Sequence, residues 1–145
     1  MLAPRAWGQS RHGTLRAPDY PGVVSHGEHY FTASPASPAQ LRTIDVRLAG
    51  RDVRITTAPG VFSGDHLDHA TRLLLDVVPP PPATGDLLDL GCGWGPVALT
   101  LAHASPRARV WAIDVNERAL DLTRRNAAAD GAANVTAATP DEVPP

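Results

Sequence analysis

The stretch LLDLGCGWGP, residues 87–96, sets three glycines within five positions directly behind an apolar run that carries one acid, Asp89. A short apolar run bounded by turn residues fits a buried strand, and Pro96 suits the first position of a helix. The loop between them has access to positive φ and no Cβ to hold a ligand away from its backbone. The strand predicted here is Leu87–Leu90, short and buried, with a helix from Pro96 through Leu99 and Leu101 to about Ala104. "RVWAI" (109–113) reads as a second buried strand. Asn116 can cap a helix through Leu120 and Ala127 that stops near Gly131, and Val135–Ala138 makes a third, weaker strand. Strands alternating with helices predict an α/β fold with a parallel sheet.

Upstream the rhythm changes. Ile44, Val46 and Leu48 alternate with Asp45 and Arg47, and Val53 and Ile55 alternate with Arg54 and Thr56. A turn over Gly50–Asp52 would join them into a β-hairpin, Thr43–Thr57, with one buried face. Leu67, Ala70, Leu74 and Val77 or Val78 then fit a helical stripe, with Asp65 available as N-cap, and the four prolines Pro79–Pro82 end that helix. Residues 1–27 show no period and read as a disordered extension, a basic arm being the sharper alternative. The chain thus divides into residues 1–27, a hairpin and helix over 28–82, and a β-α-β-α-β unit over 83–145.

A length of 145 residues allows one domain with a real core, and a net charge of −2 gives no global basic signal. Every one of the 13 cationic residues is arginine. Residues 1–72 hold 8 of them against 6 acids, and residues 73–145 hold 5 against 9, so the mild basic bias sits in the front half. The lone cysteine, Cys92, excludes an internal disulfide and fits a reducing cytoplasm. No run approaches a membrane span, and the first residues hold no apolar core of a secretory signal. A cytoplasmic location with no membrane partner is the expectation.

Parallel α/β sheets bind ligands outside the carboxyl ends of their strands, which is where Gly91–Gly95 falls. A dinucleotide fingerprint needs a third small residue three positions after the second glycine, and here Pro96 stands there. The pattern present, Asp89-x-Gly91-x-Gly93-x-Gly95, resembles motif I of the class I S-adenosylmethionine (SAM) methyltransferases. A second acid, Asp114, ends the next strand nineteen residues past Gly95 and could accept hydrogen bonds from both hydroxyls of a ribose. Asp89 could also be structural, holding loop amides; in the family it helps position the methionine end of the cofactor. Cys92 and Trp94 fill variable slots, and no metal-ligand cluster accompanies the thiol.

The resemblance extends upstream. "EHYFTASPAS", the hairpin and "TAPGVFSGDHLDHATRLLLD" look like the methyltransferase small-domain family, closest to the ribosomal RNA guanine-N2 methyltransferases, over roughly residues 28–145. It implies a Rossmann-like class I methyltransferase fold, of which this chain holds the N-terminal part with the first three parallel strands, preceded by the hairpin. It further implies SAM as cofactor and ribosomal RNA as substrate. Cofactor-binding candidates are Asp89, Gly91, Gly93, Gly95 and Asp114. The resemblance adds Phe62 and Ser63 from the "GVFS" segment, with Asp68 and Thr71 beside them, and Asp141 near the adenine ring. Core packing for Phe62, a helix-entry turn for Ser63 and a solvated loop for Asp141 are the competing readings.

The family's catalytic motif, Asn-Pro-Pro with an apolar residue after it, does not occur in these 145 residues: Asn116, Asn126 and Asn134 all lack a following proline. The chain therefore carries no assigned catalytic residue, and the expectation is a truncated reading frame. Such a chain would bind SAM weakly and transfer no methyl group, with one edge of the strand 87–90 left unpaired and apolar. A protein glutamine methyltransferase and a non-catalytic SAM-binding fragment are the alternatives. The hairpin arginines Arg42, Arg47, Arg51 and Arg54 are the only direct hint of RNA.

Overall fold

The computed structural model describes residues 40–61 and 66–144. The expectations for residues 1–27, for Phe62 and Ser63, and for Asp65 as a cap lie outside the described residues. Strand β1 (Arg42–Leu48) pairs antiparallel with β2 (Arg51–Thr57). Helix α1 (His69–Val77) leads to β3 (Thr84–Leu90), α2 (Pro96–Ala104), β4 (Arg107–Ile113), α3 (Glu117–Ala129) and β5 (Val135–Ala138). The last three strands form a parallel sheet in the order β3-β4-β5. The architecture is thus the α/β sheet with a preceding hairpin that the sequence predicts.

Local chemistry explains most boundaries. Pro96 opens α2, where its missing N–H has no partner to lose. The Asn116 side chain accepts the Arg118 N–H at 3.0 Å and starts α3, and Gly131, at φ +70°, releases the chain beyond it. The hairpin turn differs from the predicted one. Leu48 pairs with Arg51, so the turn residues are Ala49 and Gly50, both at positive φ. A two-residue turn of that hand matches the twist of the strands, which is why the turn closes one residue earlier than Gly50–Asp52.

Helix α1 also corrects the reading. Its cap is Asp68, whose Oδ2 accepts the Thr71 N–H at 3.0 Å, so Leu67 precedes the helix and is buried in the core from there. Within the helix Leu75 packs against the core while Ala70, Leu74, Val77 and Val78 are exposed, so the predicted stripe is the open face of the helix. Strand β3 is longer than Leu87–Leu90 and is not buried throughout: Asp89 is covered, whereas Leu88 and Leu90 are 60% and 75% exposed. The reason is one-sided packing. Residues Leu87, Val110, Ala112, Val135 and Ala137 face the helices, while Leu88, Leu90, Arg109 and Thr136 alternate onto the open face. Among the described residues, strand β3 is an edge of the sheet.

The hairpin is not a separate body. Leu48, Val53 and Ile55 belong to the same core as Leu99, Val110, Leu120 and Ala127. A half-buried clamp reinforces the seam: Asp130 takes Arg51 at 3.1 Å and His103 Nε2 at 2.7 Å. No helix among the described residues is long and apolar enough to cross a membrane.

Candidate functional site

The loop after β3 is built by its glycines. Gly91, Gly93 and Gly95 have φ of +80°, +59° and +95°, a region that L side chains rarely enter. Gly91 N–H and Cys92 N–H both donate to the Ile113 carbonyl, at 2.7 and 2.9 Å, tying the loop to the end of β4. A Cβ on Gly95 would stand 3.1 Å from Thr123 Oγ1, whereas one on Gly91 would meet nothing within 4 Å. Gly95 is therefore needed for close packing on α3, and Gly91 leaves open space on the side where a ligand could lie.

Two acids flank that space. Asp114 Oδ2 accepts the Gly93 N–H at 3.0 Å and its Oδ1 accepts the Asn116 N–H at 2.9 Å, so the carboxylate is fixed by two backbone amides. Asp89 lies under the first turn of α2, where its Oδ2 accepts the Ala98 N–H at 2.9 Å. Burial pushes the Asp89 carboxyl up to about 6; the Ala98 hydrogen bond works against that and the Asp114 charge adds to it. A carboxyl held this way gains from any cation placed beside it.

The cavity follows this layout. A crevice of about 590 Å³ opens beside Gly91 and Gly93 and is lined by Leu90, Ile113, Asp114, Val115 and Pro140 among others. A smaller recess of about 80 Å³ borders the same two glycines and is lined by Asp68, Thr71 and Asp89 among others. Both spaces border Gly91 and Gly93, and the path they outline is mostly apolar at the Asp114 end and carries Asp68 and Asp89 at the other.

Of the residues singled out from the sequence, Asp89, Gly91, Gly93 and Asp114 line this path, and Gly95 supports it from behind. Asp68 and Thr71 line the recess. Asp141 is exposed on a single 3₁₀ turn, Pro140–Glu142, and its neighbour Pro140 is the residue that lines the crevice. Cys92 is buried and its thiol is pushed up to about 12 by burial, so it is a neutral packing group. Among the described residues no group of three His, Cys, Asp or Glu could hold a metal ion.

Two contributors had escaped the sequence. Trp94, which the sequence places in a variable slot, is 2% exposed and is the largest fully buried side chain among the described residues. A tryptophan among glycines had to bury its ring somewhere, and that was the available signal. Asn126, at 1% exposed, accepts the Thr56 N–H at 2.8 Å and donates to the carbonyls of Thr56 and Trp94, at 2.9 and 2.8 Å. It fastens the hairpin to the glycine loop. Asn116 ties the segment after the hairpin to the start of α3, donating to the Gly60 carbonyl at 2.9 Å.

Comparison with known proteins agrees with this geometry. The chain is 40% identical over 108 residues to the uncharacterized protein YbxB of Bacillus subtilis (strain 168), covering 74% of this chain and 54% of that protein. It is 44% identical over 80 residues to ribosomal RNA small subunit methyltransferase C of Cronobacter sakazakii, covering 55% of this chain and 23% of that one. The T. thermophilus 16S rRNA N2 methyltransferase RsmC, solved in complex with AdoMet and guanosine, superposes with a TM-score of 0.58 at 28% identity, over 71% of this chain and 28% of that one. The chain spans about half of YbxB and about a quarter of the other two. The model of the methyltransferase small domain matches residues 52–143, from the hairpin to the turn after β5, and this chain belongs to that family.

Proposed function

We propose that this chain is the cofactor-binding part of a SAM-dependent methyltransferase that acts on a guanine exocyclic amine of ribosomal RNA. The observation that carries the reading is the path across Gly91 and Gly93, with a carboxylate at each end. The shape suits SAM: the crevice falls within the usual range for small-molecule sites, apolar where an adenine would lie. Two amides hold the Asp114 carboxylate, leaving its remaining lone pairs to accept ribose hydroxyls. Asp89 and Asp68 make the recess acidic, which suits the ammonium of the methionine end. The bound cofactor supplies a methyl group on a sulfonium. The chain's own work is to hold that donor in a fixed pose, since methyl transfer depends on proximity and in-line alignment.

The acceptor side rests on the relatives named as ribosomal RNA methyltransferases, and these residues hold no Asn-Pro-Pro motif to orient it. A guanine amine delocalises its lone pair into the ring and needs orienting groups to attack. The test is to incubate the chain with SAM labelled in its methyl group and with naked ribosomal RNA. SAM retained on the protein with no label in the RNA is the expected result. Label entering the RNA overturns the donor-only reading, and failure to retain SAM overturns the cofactor assignment.

A further inference from the structure

The hairpin arginines do not form one basic face. Arg51 is held by Asp130 at 3.1 Å, and Arg54 holds Asp45 at 3.0 Å. Arg47 instead lines a groove of about 420 Å³ between β1 and the start of α1. Across that groove stand His66, His69 and Arg72, with Ile44 and Val46 beside Arg47. Four consecutive residues of β1 line it, so it runs along the strand edge that β2 does not pair.

Three observations fix the chemistry of an occupant. First, the Arg72 guanidinium has no hydrogen-bond or ion-pair partner among the described residues. Second, Arg47 meets Asp52 at 3.2 Å with side chains 64% and 81% exposed, and an ion pair so exposed is readily exchanged for a better anion. Third, the lining holds a single acid, Asp45, whose Oδ1 lies 3.0 Å from Arg54 Nε, against two arginines and two histidines. The groove therefore offers two arginine forks and two imidazoles to a partner rich in acceptor oxygens and negative charge. Its position matters as much: Leu67 lines both this groove and the recess beside Asp89.

We propose that this groove seats the phosphate backbone of the RNA strand that carries the target base, with Arg47 and Arg72 holding its phosphates. The proposal rests on the methyltransferase reading for the identity of the polyanion. Phosphate binding of this kind sets register and carries no sequence information, so it positions a strand beside the cofactor path without choosing the base.

The test is fluorescence anisotropy of the full chain with a short unstructured RNA oligonucleotide across a salt series, alongside calorimetry with SAM. The variants are Arg47→Ala with Arg72→Ala, and Arg125→Ala on α3 as the control. The double variant is expected to lose roughly tenfold in affinity near physiological salt. Its plot of log affinity against log salt should flatten by roughly 1.4, since each single-strand phosphate neutralised by the wild type accounts for about 0.7 of the slope. Arg125→Ala should change neither. An unchanged affinity and slope in the double variant overturns the groove assignment, as does a wild-type chain that binds SAM but no RNA. If polyglutamate binds through the same arginines while RNA binding survives their removal, the groove is a protein-docking site and the proposal falls. If RNA binding depends on the arginines and SAM does not bind, the groove stands and the methyltransferase reading is what fails.

Discussion

Asp89→Asn should make this protein more stable and a worse binder of SAM. The Asp89 carboxyl is pushed from 3.8 up to about 6, chiefly by burial. A carboxyl whose folded pKa is raised favours the protonated native state. Its contribution to stability is therefore complete below about pH 4 and is lost as pH rises through about 6. A shift of about two pH units corresponds to about 3 kcal/mol between acid and neutral pH. Asparagine keeps an oxygen for the Ala98 N–H, but its amide needs a partner of its own, so about 1–3 kcal/mol of gain near neutral pH is the expected net effect. That is a rise in Tm of roughly 5 °C or more. The gain should shrink toward zero as pH is lowered to about 4. In the same variant SAM affinity should fall by about 10–100-fold, because a charge-assisted hydrogen bond to the ammonium is replaced by a neutral one. Wild-type binding near pH 6 should also release protons, visible as a dependence of the calorimetric enthalpy on the buffer. The assay is thermal unfolding of both proteins across that pH range, with SAM titrations at neutral pH. Parallel stability curves, or unchanged SAM affinity, would refute the reasoning.

Asn126→Ala removes three hydrogen bonds at once and strands the Thr56 N–H and the Thr56 and Trp94 carbonyls, so denaturant unfolding should show a loss of about 3–5 kcal/mol. Gly95→Ala combines φ of +95° with a Cβ at 3.1 Å from Thr123 Oγ1, and should cost about 2–3 kcal/mol in the same assay. Adding Thr123→Ala should relieve the crowding but not the backbone strain. Cys92, with its thiol pushed up to about 12, should resist iodoacetamide in the native protein at about pH 8 and react once the chain is unfolded.

What the sequence revealed divides along physical lines. The β-α-β-α-β order, the helix starts at Pro96 and Asn116 and the glycine loop were readable because each is fixed by neighbours in sequence. So was the place of Asp114 as the acid at the end of β4, because strand length alone sets it opposite Gly93. The start of α1 was not readable, because Asp65 and Asp68 are both competent caps and only tertiary packing of Leu67 and Leu75 selects the later one. The burial of Leu88 and Leu90 was misjudged for a related reason: an apolar run does not say whether anything covers both of its faces. Asn126 illustrates the deepest limit. In sequence it is one polar residue in a helix, and its role depends on a hairpin seventy residues earlier arriving beside Trp94.

The central claim is that the path between Asp89 and Asp114 holds SAM, and isothermal titration of the chain with SAM and, separately, with NAD tests it most directly. The account predicts a SAM isotherm that Asp114→Ala weakens by about tenfold or more, through removal of the ribose hydrogen bonds, with no heat from NAD. Binding of NAD without SAM, or SAM affinity indifferent to Asp114, would contradict it.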